Sequence, residues 1–310
     1  MQQCIKASAK YDARGDGVLV SALHMSNVKP VTSYLCTATS ISNKPPLYFS
    51  LYTNMPNVLI VGGTRGLGAA LVSHYSSQPL TRVYVTSRKD PPTHPKDVKW
   101  LTDIDLTKPD CGEKIASQLK DVVVSLVFIT AGIFQLESFE EPKWDAEVAT
   151  YLTSAIAPPF ILSALFKGNN LAKKASPPCK VVLLSSEAGS LKLNQAGGGG
   201  NYAHHASKSA VNMVGTQLRY DLEPHGIAVG MVHPSFMRTE MTKGVGFDVA
   251  YEENDALTPE QAAEILADWT DKEFDLSKTG QFWAPRGTRD IGSWNAVMGE
   301  HIKGPTQLPW

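Results

Sequence analysis

The sequence has few cysteines, no excess of either charge and no long uninterrupted apolar run. Four cysteines occur in 310 residues, with none of the paired spacings that hold metal ions: Cys4, Cys36, Cys111 and Cys179. We therefore expect no metal site, and reduced thiols in a cytoplasmic protein. A formal net charge of −1 gives no electrostatic basis for binding nucleic acid or an anionic membrane. The sequence lacks a stretch of about 18 apolar residues, so we expect no membrane span.

Residues 1–54 are short of acids and rich in Ser and Thr. Only Asp12 and Asp16 are acidic, against five bases: Lys6, Lys10, Arg14, Lys29 and Lys44. This bias is compatible with a mitochondrial transit peptide, but the segment lacks the Arg-rich amphipathic helix of such peptides. The composition favours a disordered extension outside the mature core, or a start codon that lies upstream of the true one at Met55.

From residue 57 onward, short apolar runs alternate with helical patterns. The predicted strands are Val58–Val61, Val83–Val85, Val122–Ile129, Val181–Leu184 and Ile227–Val232, and the predicted helices are Lys108–Leu119, Glu140–Phe166 and Ser207–Leu222. Continuous apolar strands separated by helices indicate a parallel sheet covered on both faces. We predict one α/β domain over residues 55–310, a doubly wound parallel sheet with loops at Pro91–Pro95 and Gly197–Gly200.

A glycine-rich turn follows the first predicted strand. Glycines stand at Gly62, Gly66 and Gly68, and apolar residues then recur with helical spacing at Leu67, Ala70, Leu71 and Tyr75. Glycines let the backbone approach a phosphate closely, and the N-terminus of a helix offers unpaired N–H groups with a positive dipole. The strand, turn and helix together predict a site for a dinucleotide pyrophosphate.

The second strand ends without an acid. An acid at this point would hold the adenosine ribose hydroxyls and repel a 2′-phosphate. The chain has Ser87 and Arg88 there, and Arg65 lies in the glycine turn. Because guanidinium groups bind phosphates through paired, charge-assisted hydrogen bonds, the sequence favours NADP over NAD.

These motifs resemble the short-chain dehydrogenase/reductase family. The turn is similar to the family's T-G-x-x-x-G-x-G signature, with Val61 in place of the Thr. Further similar segments follow in order: Asp105-Leu106, Ile129–Gly132, Ser185-Ser186, Pro234–Thr239, Thr258–Gln261, Gly280–Trp283 and Pro309-Trp310. The last three resemble the small carbonyl-reductase branch that includes the C-signal-like proteins.

The resemblance implies a Rossmann fold and a set of cofactor-binding residues. Asp105 and Leu106 correspond to the pair that contacts adenine, and Thr239 to the threonine near the nicotinamide carboxamide. The implied set is Gly62, Thr64, Arg65, Gly66, Leu67, Gly68, Ser87, Arg88, Asp105, Leu106, Ala131, Gly132, Lys208, Pro234, Met237 and Thr239.

The sequence departs from the family at the proton donor. The family has a Tyr four residues before a Lys that lowers the pKa of that Tyr, and a Ser that orients the substrate carbonyl. Ser186 and Lys208 match, but His204 stands four residues before Lys208, and Tyr202 stands six before it.

Three interpretations of this departure remain open. His204 donates the proton; or an irregular start of the helix brings Tyr202 into the site; or the proton chemistry has been lost or changed. Residues four apart lie on one face of a helix, which favours His204. Lys208 should lower the pKa of the imidazole, so we expect slow reduction that favours acidic conditions.

The family's fourth catalytic residue, an Asn that holds a water, is also replaced. The segment Thr153–Phe160 resembles the helix that carries it, and Ser154 stands at the Asn position. A hydroxyl can still bind water, so we include Ser154 among the candidate catalytic residues.

The leading hypothesis is an NADPH-dependent reductase or dehydrogenase of a small-molecule carbonyl or alcohol. The alternative is a cofactor-binding protein of the same fold without redox turnover, acting as an isomerase, a cyclase or a non-catalytic partner. By resemblance we expect a homodimer or homotetramer formed through the two long helices. The lid between Met241 and Leu257 carries no signal that identifies the substrate.

Overall fold

The computed structural model describes residues 10–11, 18–19, 56–90, 98–196 and 198–310. Contacts between residues divide the chain into two units, Met1–Asn54 and Met55–Trp310. In the first unit, β1 (Lys10–Tyr11) and β2 (Val18–Leu19) pair antiparallel. The predictions for the rest of 1–54 and for the loop at Pro91–Pro95 lie outside the described residues.

The second unit is built on one eight-stranded sheet. Its strands are β3 (Asn57–Val61), β4 (Arg82–Thr86), β5 (Val98–Leu101), β6 (Leu126–Ile129), β7 (Cys179–Leu184), β8 (Ile227–Val232), β9 (Phe282–Ala284) and β10 (Thr306–Gln307). Their spatial order is β10-β9-β8-β7-β6-β3-β4-β5. All neighbours pair in parallel except β9 and β10. The doubly wound parallel sheet is confirmed.

Eight α-helices are present among the described residues. They are α1 (Gly66–Ser76), α2 (Cys111–Leu119), α3 (Trp144–Tyr151), α4 (Ala157–Lys167), α5 (Tyr202–Leu222), α6 (Glu240–Gly244), α7 (Pro259–Lys272) and α8 (Trp294–Val297). A π-helical turn, Leu152–Ile156, joins α3 to α4 and makes one continuous helix of them. The predicted long helix therefore exists, but it begins at Trp144 rather than at residue 140.

Two apolar clusters cover the two faces of the sheet. Leu59 and Val61 of β3 belong to one cluster, whereas Val58 and Ile60 belong to the other. Successive side chains of a strand point to opposite faces, so a strand buried on both faces must be apolar throughout. Full burial of one such side chain stabilises the fold by about 1.5–3 kcal/mol.

Strand β6 is shorter than the predicted Val122–Ile129. Val124 forms only an isolated bridge with Leu171, and the Asn170 side chain donates a hydrogen bond of 2.9 Å to the Val122 carbonyl. Of the apolar run before residue 126, Val124 packs in the core, Val122 is partly buried against it and Val123 is 45% exposed, so the run does not extend the parallel strand.

One helical stretch of the described residues, Trp144–Lys167, is long and apolar enough to cross a membrane by composition alone, with a mean hydropathy of 1.5. Half of its most apolar window is buried inside the domain. Ile161, Leu162 and Leu165 of this stretch lie in the sheet's core. Packing against the sheet accounts for this inner face, whereas Trp144, Ile156 and Phe160 of the same stretch are exposed.

Candidate active site

The predicted site residues meet at the carboxyl ends of the parallel strands. Strands β4 and β6 lie on opposite sides of β3 in the sheet. The connection that follows β3 and the connection that follows β6 therefore run to opposite faces of the sheet. A crevice opens at such a point, where α/β proteins bind ligands. A cavity of about 590 Å³ occupies it.

The glycine turn forms one wall of this cavity. Gly62 has a φ of +95°, and its N–H donates a hydrogen bond of 3.0 Å to the Thr86 hydroxyl. A Cβ at Gly68 would collide with the Gly62 carbonyl. Helix α1 begins at Gly66, and its N-cap residue Arg65 makes no side-chain capping bond. The first N–H groups of α1 are thus available to an anion.

The end of β4 forms the next part of the wall. Ser87 is buried, and its hydroxyl has no hydrogen-bond partner among the described residues. Arg65 and Arg88 are exposed and line the same cavity. A buried hydroxyl without a partner costs free energy unless a ligand binds it. A ribose phosphate would supply acceptors to all three side chains.

Asp105 and Leu106 line the cavity beyond β5. The Asp105 carboxylate accepts hydrogen bonds from the Thr107 N–H at 3.0 Å and from the Thr107 hydroxyl at 2.8 Å. The bond from the Thr107 backbone lowers the pKa of Asp105 most. The loop is therefore held by an ionised carboxylate next to the proposed adenine position.

The segment after β6 packs directly on the glycine turn. The Thr130 hydroxyl lies 3.0 Å from the Val61 carbonyl and 3.2 Å from that of Gly62, and it donates to one of them at a time. A Cβ at Gly62 would lie 2.7 Å from that of Ala131. Ala131 and Gly132 line the cavity floor. Thr130 thus couples the two segments where the family has an Asn.

Lys208 projects from α5 into the interior of the site. Its Nζ donates a hydrogen bond of 2.7 Å to the Leu184 carbonyl at the end of β7. A Cβ at Gly132 would lie only 3.9 Å from this Nζ. Burial lowers the pKa of Lys208 to about 8. The ammonium group is therefore still largely protonated at neutral pH.

His204 lies in the cavity and Tyr202 does not. Helix α5 begins at Tyr202, after Asn201 in the left-handed conformation. The described residues that line the cavity include His204 but not Tyr202, whose surface is 40% exposed. The regular first turn of α5 carries Tyr202 away from the face that Lys208 and His204 share. The irregular helix start, which the second interpretation requires, is absent from this described segment.

The His204 imidazole is uncharged at neutral pH. Its ring packs on Phe134, with centroids 4.5 Å apart, and its Nδ1 is buried without a partner among the described residues. Burial, followed by the charge on Lys208, lowers the pKa of His204 to about 3. The direction expected from Lys208 is thus found, with burial as the larger cause.

Ser186 belongs to a chain of polar groups that leads from the cavity to the buried His233 and Asp290. Its hydroxyl donates a hydrogen bond of 2.7 Å to Oε2 of Glu187. The same Oε2 lies 2.7 Å from Nδ1 of His233, whose Nε2 lies 3.2 Å from Oδ2 of Asp290. His233 is buried, and the Asp290 side chain is 0% exposed. An imidazole between two carboxylates binds both of them best as a cation.

The pKa shifts agree with this charge assignment. Burial alone would lower the pKa of His233, but Glu187 and Asp290 outweigh burial and raise that pKa to about 10. Burial alone would raise the pKa of Glu187, yet His233 and the Ser186 hydroxyl hold it below its ordinary value. The Glu187 N–H also lies 3.2 Å from His233 Nδ1. That N–H could donate to Nδ1 only if Nδ1 carried no proton. The shorter contact, between Nδ1 and Oε2 of Glu187, therefore decides that Nδ1 is protonated.

Ser154, the candidate predicted to bind a water, lies in the turn between α3 and α4. It is buried in the π-helical turn, and its hydroxyl has no partner among the described residues. Thr153, and not Ser154, is among the described residues that line the cavity. One extra residue in a π turn rotates the side chains that follow it relative to those before it. The π turn therefore decides which of the two neighbours faces the cavity.

The segment after β8 completes the wall with Pro234, Met237 and Thr239. Ser235 stands where the family has Gly, and it adopts a φ of +81° that a glycine would adopt with less strain. The Thr239 hydroxyl caps α6 by accepting a 3.2 Å hydrogen bond from the Thr242 N–H. This capping positions Thr239 at the rim.

Aromatic rings surround the open end of the cavity beside His204. The centroid of Phe247 lies 5.7 Å from that of Phe134 and 6.4 Å from that of Phe236. Phe247 comes from the 3₁₀ turn Phe247–Ala250, within the segment that the sequence marks only as a lid. The structure thus gives this segment an apolar, aromatic inner surface.

The sequence analysis missed Glu187, His233 and Asp290. Glu187 directly follows Ser186, and His233 directly precedes Pro234, so both adjoin recognised motifs. A titratable residue shortly after a buried strand is a sequence signal that could have identified both as candidate site residues. Asp290 is 57 residues from His233 in the chain, and nothing in its local sequence indicates the contact.

The family model of short chain dehydrogenase matches residues 56–249. The chain is 30% identical over 162 residues to 1-hydroxy-2-glutathionyl-2-methyl-3-butene dehydrogenase of Rhodococcus sp. strain AD45, covering 52% of this chain and 66% of that protein. It is 32% identical over 92 residues to C-signal of Myxococcus xanthus, covering 30% of this chain and 52% of C-signal.

A solved structure shows the same fold. The NADPH-bound carbonyl reductase from chicken fatty liver matches with a TM-score of 0.62 and 21% identity, over 75% of this chain and 97% of that chain. The match to the family model covers the glycine turn, the sheet up to β8 and the start of the lid. The chain belongs to the short-chain dehydrogenase family, and it resembles C-signal within that family.

Proposed function

We propose that the protein is an NADP-dependent oxidoreductase that interconverts a small-molecule carbonyl and the corresponding alcohol. One observation carries this proposal: a single cavity joins the phosphate-binding turn and Arg88 to Ser186, His204 and Lys208. Family membership as an oxidoreductase and the similarity to a dehydrogenase from Rhodococcus support it.

The cavity suits a dinucleotide with a 2′-phosphate. The N-terminus of α1 faces the pyrophosphate position, and the unpartnered Ser87 hydroxyl with Arg65 and Arg88 faces the phosphate position. NADPH is bound in the chicken carbonyl reductase of the same fold. When bound, a reduced nicotinamide supplies the hydride that a carbonyl carbon accepts.

The remaining site residues bind and orient. Lys208 is held between the end of β7 and Gly132, where its ammonium can donate to ribose hydroxyls. His204 is neutral at physiological pH, so it has one N–H with which it can hold a substrate oxygen. Ser186 lies next to it, with its hydroxyl engaged by Glu187.

The aromatic rings beside His204 favour an apolar, aromatic aldehyde or ketone. Phe134, Phe236 and Phe247 form a surface on which a flat ring can pack, and such contacts contribute about 0.5–1.5 kcal/mol each beyond area burial. We infer that aromatic carbonyls are turned over faster than short aliphatic ones.

The experiment is NADPH oxidation by the purified protein with matched aromatic and aliphatic aldehydes and ketones, followed by NADP reduction with the alcohols. Cofactor-dependent turnover, best with aromatic carbonyls, is the expected result. The second candidate function is cofactor binding without redox turnover, favoured by the displacement of the family's Tyr from the cavity. Tight NADPH binding with no turnover in either direction would establish that function instead.

A further inference from the structure

The Ser186–Glu187–His233–Asp290 chain is more than a structural ion pair, because one end of it lies in the cavity. Glu187 lines the cavity with its side chain 34% exposed, whereas the His233 and Asp290 side chains are 4% and 0% exposed. The two inner groups are thus shielded from bulk water. The Ser186 hydroxyl and the His233 N–H share one carboxylate oxygen, Oε2 of Glu187, at 2.7 Å each.

The other titratable groups of the site are poorly suited to supply a proton at neutral pH. His204 faces Lys208, Glu187, His205 and His233, and burial with the Lys208 charge holds its pKa at about 3. Tyr202 is outside the cavity lining. Lys208 has its Nζ bound to the Leu184 carbonyl, and the family's mechanism uses this group for ribose binding.

We propose that His233 is the proton reservoir of this active site and that Glu187 and Ser186 transmit its proton to the substrate oxygen. The proposal rests on the proposed function, in which a carbonyl is reduced. It makes Ser186 a catalytic residue that touches the substrate. Glu187 and His233 act through it as relay residues, and Asp290 positions His233.

The proton balance of the relay is simple. A carbonyl oxygen bound beside Ser186 takes the Ser186 hydroxyl proton as the carbonyl carbon is reduced by the nicotinamide cofactor. In the resting site the Ser186 hydroxyl donates to the ionised Oε2 of Glu187, so it must first turn toward the carbonyl oxygen. Oε2 then takes the Nδ1 proton of His233 and passes it to Ser186 Oγ, which has given up its own proton. The products are an alcohol and a neutral His233 imidazole, whose remaining N–H still binds Asp290. Solvent must then restore the Nδ1 proton.

The charges around His233 keep its imidazole protonated. Glu187 faces its Nδ1 and Asp290 its Nε2, and together they hold the pKa of His233 at about 10 despite burial. The positive side chain of Lys208 and the neutral His204 line the same cavity as Glu187. His233 is therefore protonated at neutral pH, whereas a developing alkoxide is a much stronger base and can accept its proton.

The first test is turnover of NADPH and carbonyl by Glu187→Gln and His233→Gln. Each should lower kcat by about 10²–10⁴, the usual range for loss of proton transfer by a positioned group. NADPH affinity, measured by fluorescence titration, should stay within about twofold. Glu223→Gln and His225→Gln are matched control changes on the turn after α5, outside the cavity lining, and should keep wild-type kcat.

The pH profile distinguishes a relay from structural support. Deprotonation of Lys208, whose pKa is about 8, should give the first step in the alkaline limb of wild-type kcat. A second fall near the pKa of His233, about 10, should be present in the wild type and absent in His233→Gln. Glu187→Asp keeps the carboxylate and should restore part of the turnover with the same alkaline limb. If Glu187→Gln and His233→Gln keep wild-type kcat and profile, the relay is wrong while the proposed function stands.

A second readout needs neither cofactor nor turnover. NMR titration of the wild-type apoprotein should show one imidazole that stays protonated at pH 8, absent in His233→Gln and titrating at lower pH in Glu187→Gln. A His233 that is neutral at pH 7 overturns the proposal even if both variants fail to fold. A wild type that oxidises no NADPH contradicts the proposed function and leaves the relay without a reaction, which overturns both.

Discussion

Arg88 lies at the carboxyl end of β4, beside the unpartnered Ser87 hydroxyl. If it pairs with a 2′-phosphate, Arg88→Ala removes a charge-assisted bond worth about 1.5–3 kcal/mol and weakens NADPH binding by about tenfold or more. NADH binding should change little, since NADH lacks that phosphate. Isothermal titration with both cofactors measures the difference, with the exposed Arg82→Ala as control. Equal affinity of the wild type for NADPH and NADH would contradict this assignment.

One substitution at His204 and one at Tyr202 distinguish which of the two residues contributes to turnover. His204→Ala removes the neutral N–H proposed to hold the substrate oxygen, and loss of one such donor costs about 10²–10³ in kcat. Tyr202→Phe should leave kcat nearly unchanged because Tyr202 is outside the cavity lining. Since the pKa of His204 is about 3, no change in kcat from its ionisation should occur between pH 6 and 8. A large loss in Tyr202→Phe would return the proton transfer to Tyr202.

At the scale of elements, the array of Glu187, His233 and Asp290 connects the residues that follow β7 and β8 to the segment that carries Asp290. The pKa of Glu187 is lowered in the folded protein, so its stabilising contribution is present above the ordinary carboxyl pKa and lost as pH falls. The pKa of His233 is raised from 6.5 to about 10, so its contribution is complete below pH 6.5 and lost as pH rises toward 10.

The array should therefore stabilise the fold most between about pH 4.5 and 6.5, the ordinary pKa values of Glu and His. Urea unfolding of the wild type and of Glu187→Gln, within this pH range and on either side of it, measures the difference between their free energies of unfolding. That difference should shrink on both the acid and the alkaline side. A difference independent of pH would mean that Glu187 acts through packing and neutral hydrogen bonds alone.

At the scale of the whole molecule, the unit Met55–Trp310 contains the entire eight-stranded sheet and both apolar clusters. A chain that begins at Met55 should accordingly melt within a few degrees of the full-length protein, because termini contribute stability only when tied to the core. Differential scanning calorimetry of the two chains makes the comparison. Insolubility or a much lower melting temperature of the shorter chain would show that residues 1–54 are part of the fold.

The long helices also bear on assembly. Val211 and Leu218 of α5 are buried against the sheet, whereas Met213 is 61% exposed, as is Phe160 of α4 at 52%. We propose that these outward side chains pack between subunits in a homodimer or homotetramer. Met213→Glu should then lower the mass measured by light scattering at micromolar concentration. Leu80→Glu adds the same charge to an exposed loop residue and should not. A monomeric wild type would contradict the proposal.

The sequence by itself determined the class of fold and the phosphate-binding half of the cavity. A buried parallel strand must be apolar on both faces, and the glycine turn must admit a backbone approach, so both features are written in local residue order. All sixteen residues of the implied cofactor-binding set line the one cavity. These residues cluster because they lie near the carboxyl ends of parallel strands, and those ends lie along one edge of the sheet.

Only the tertiary structure shows the surroundings of the candidate catalytic residues. The spacing to Lys208 already favours His204 over Tyr202, and the regular first turn of α5 agrees with it, whereas the π turn decides that Thr153 and not Ser154 is among the described residues that line the cavity. The charge of His233 depends on Asp290, which the chain brings back after 57 residues. Local sequence cannot give such a pKa, because burial and the fields of distant carboxylates set it only when the chain has folded.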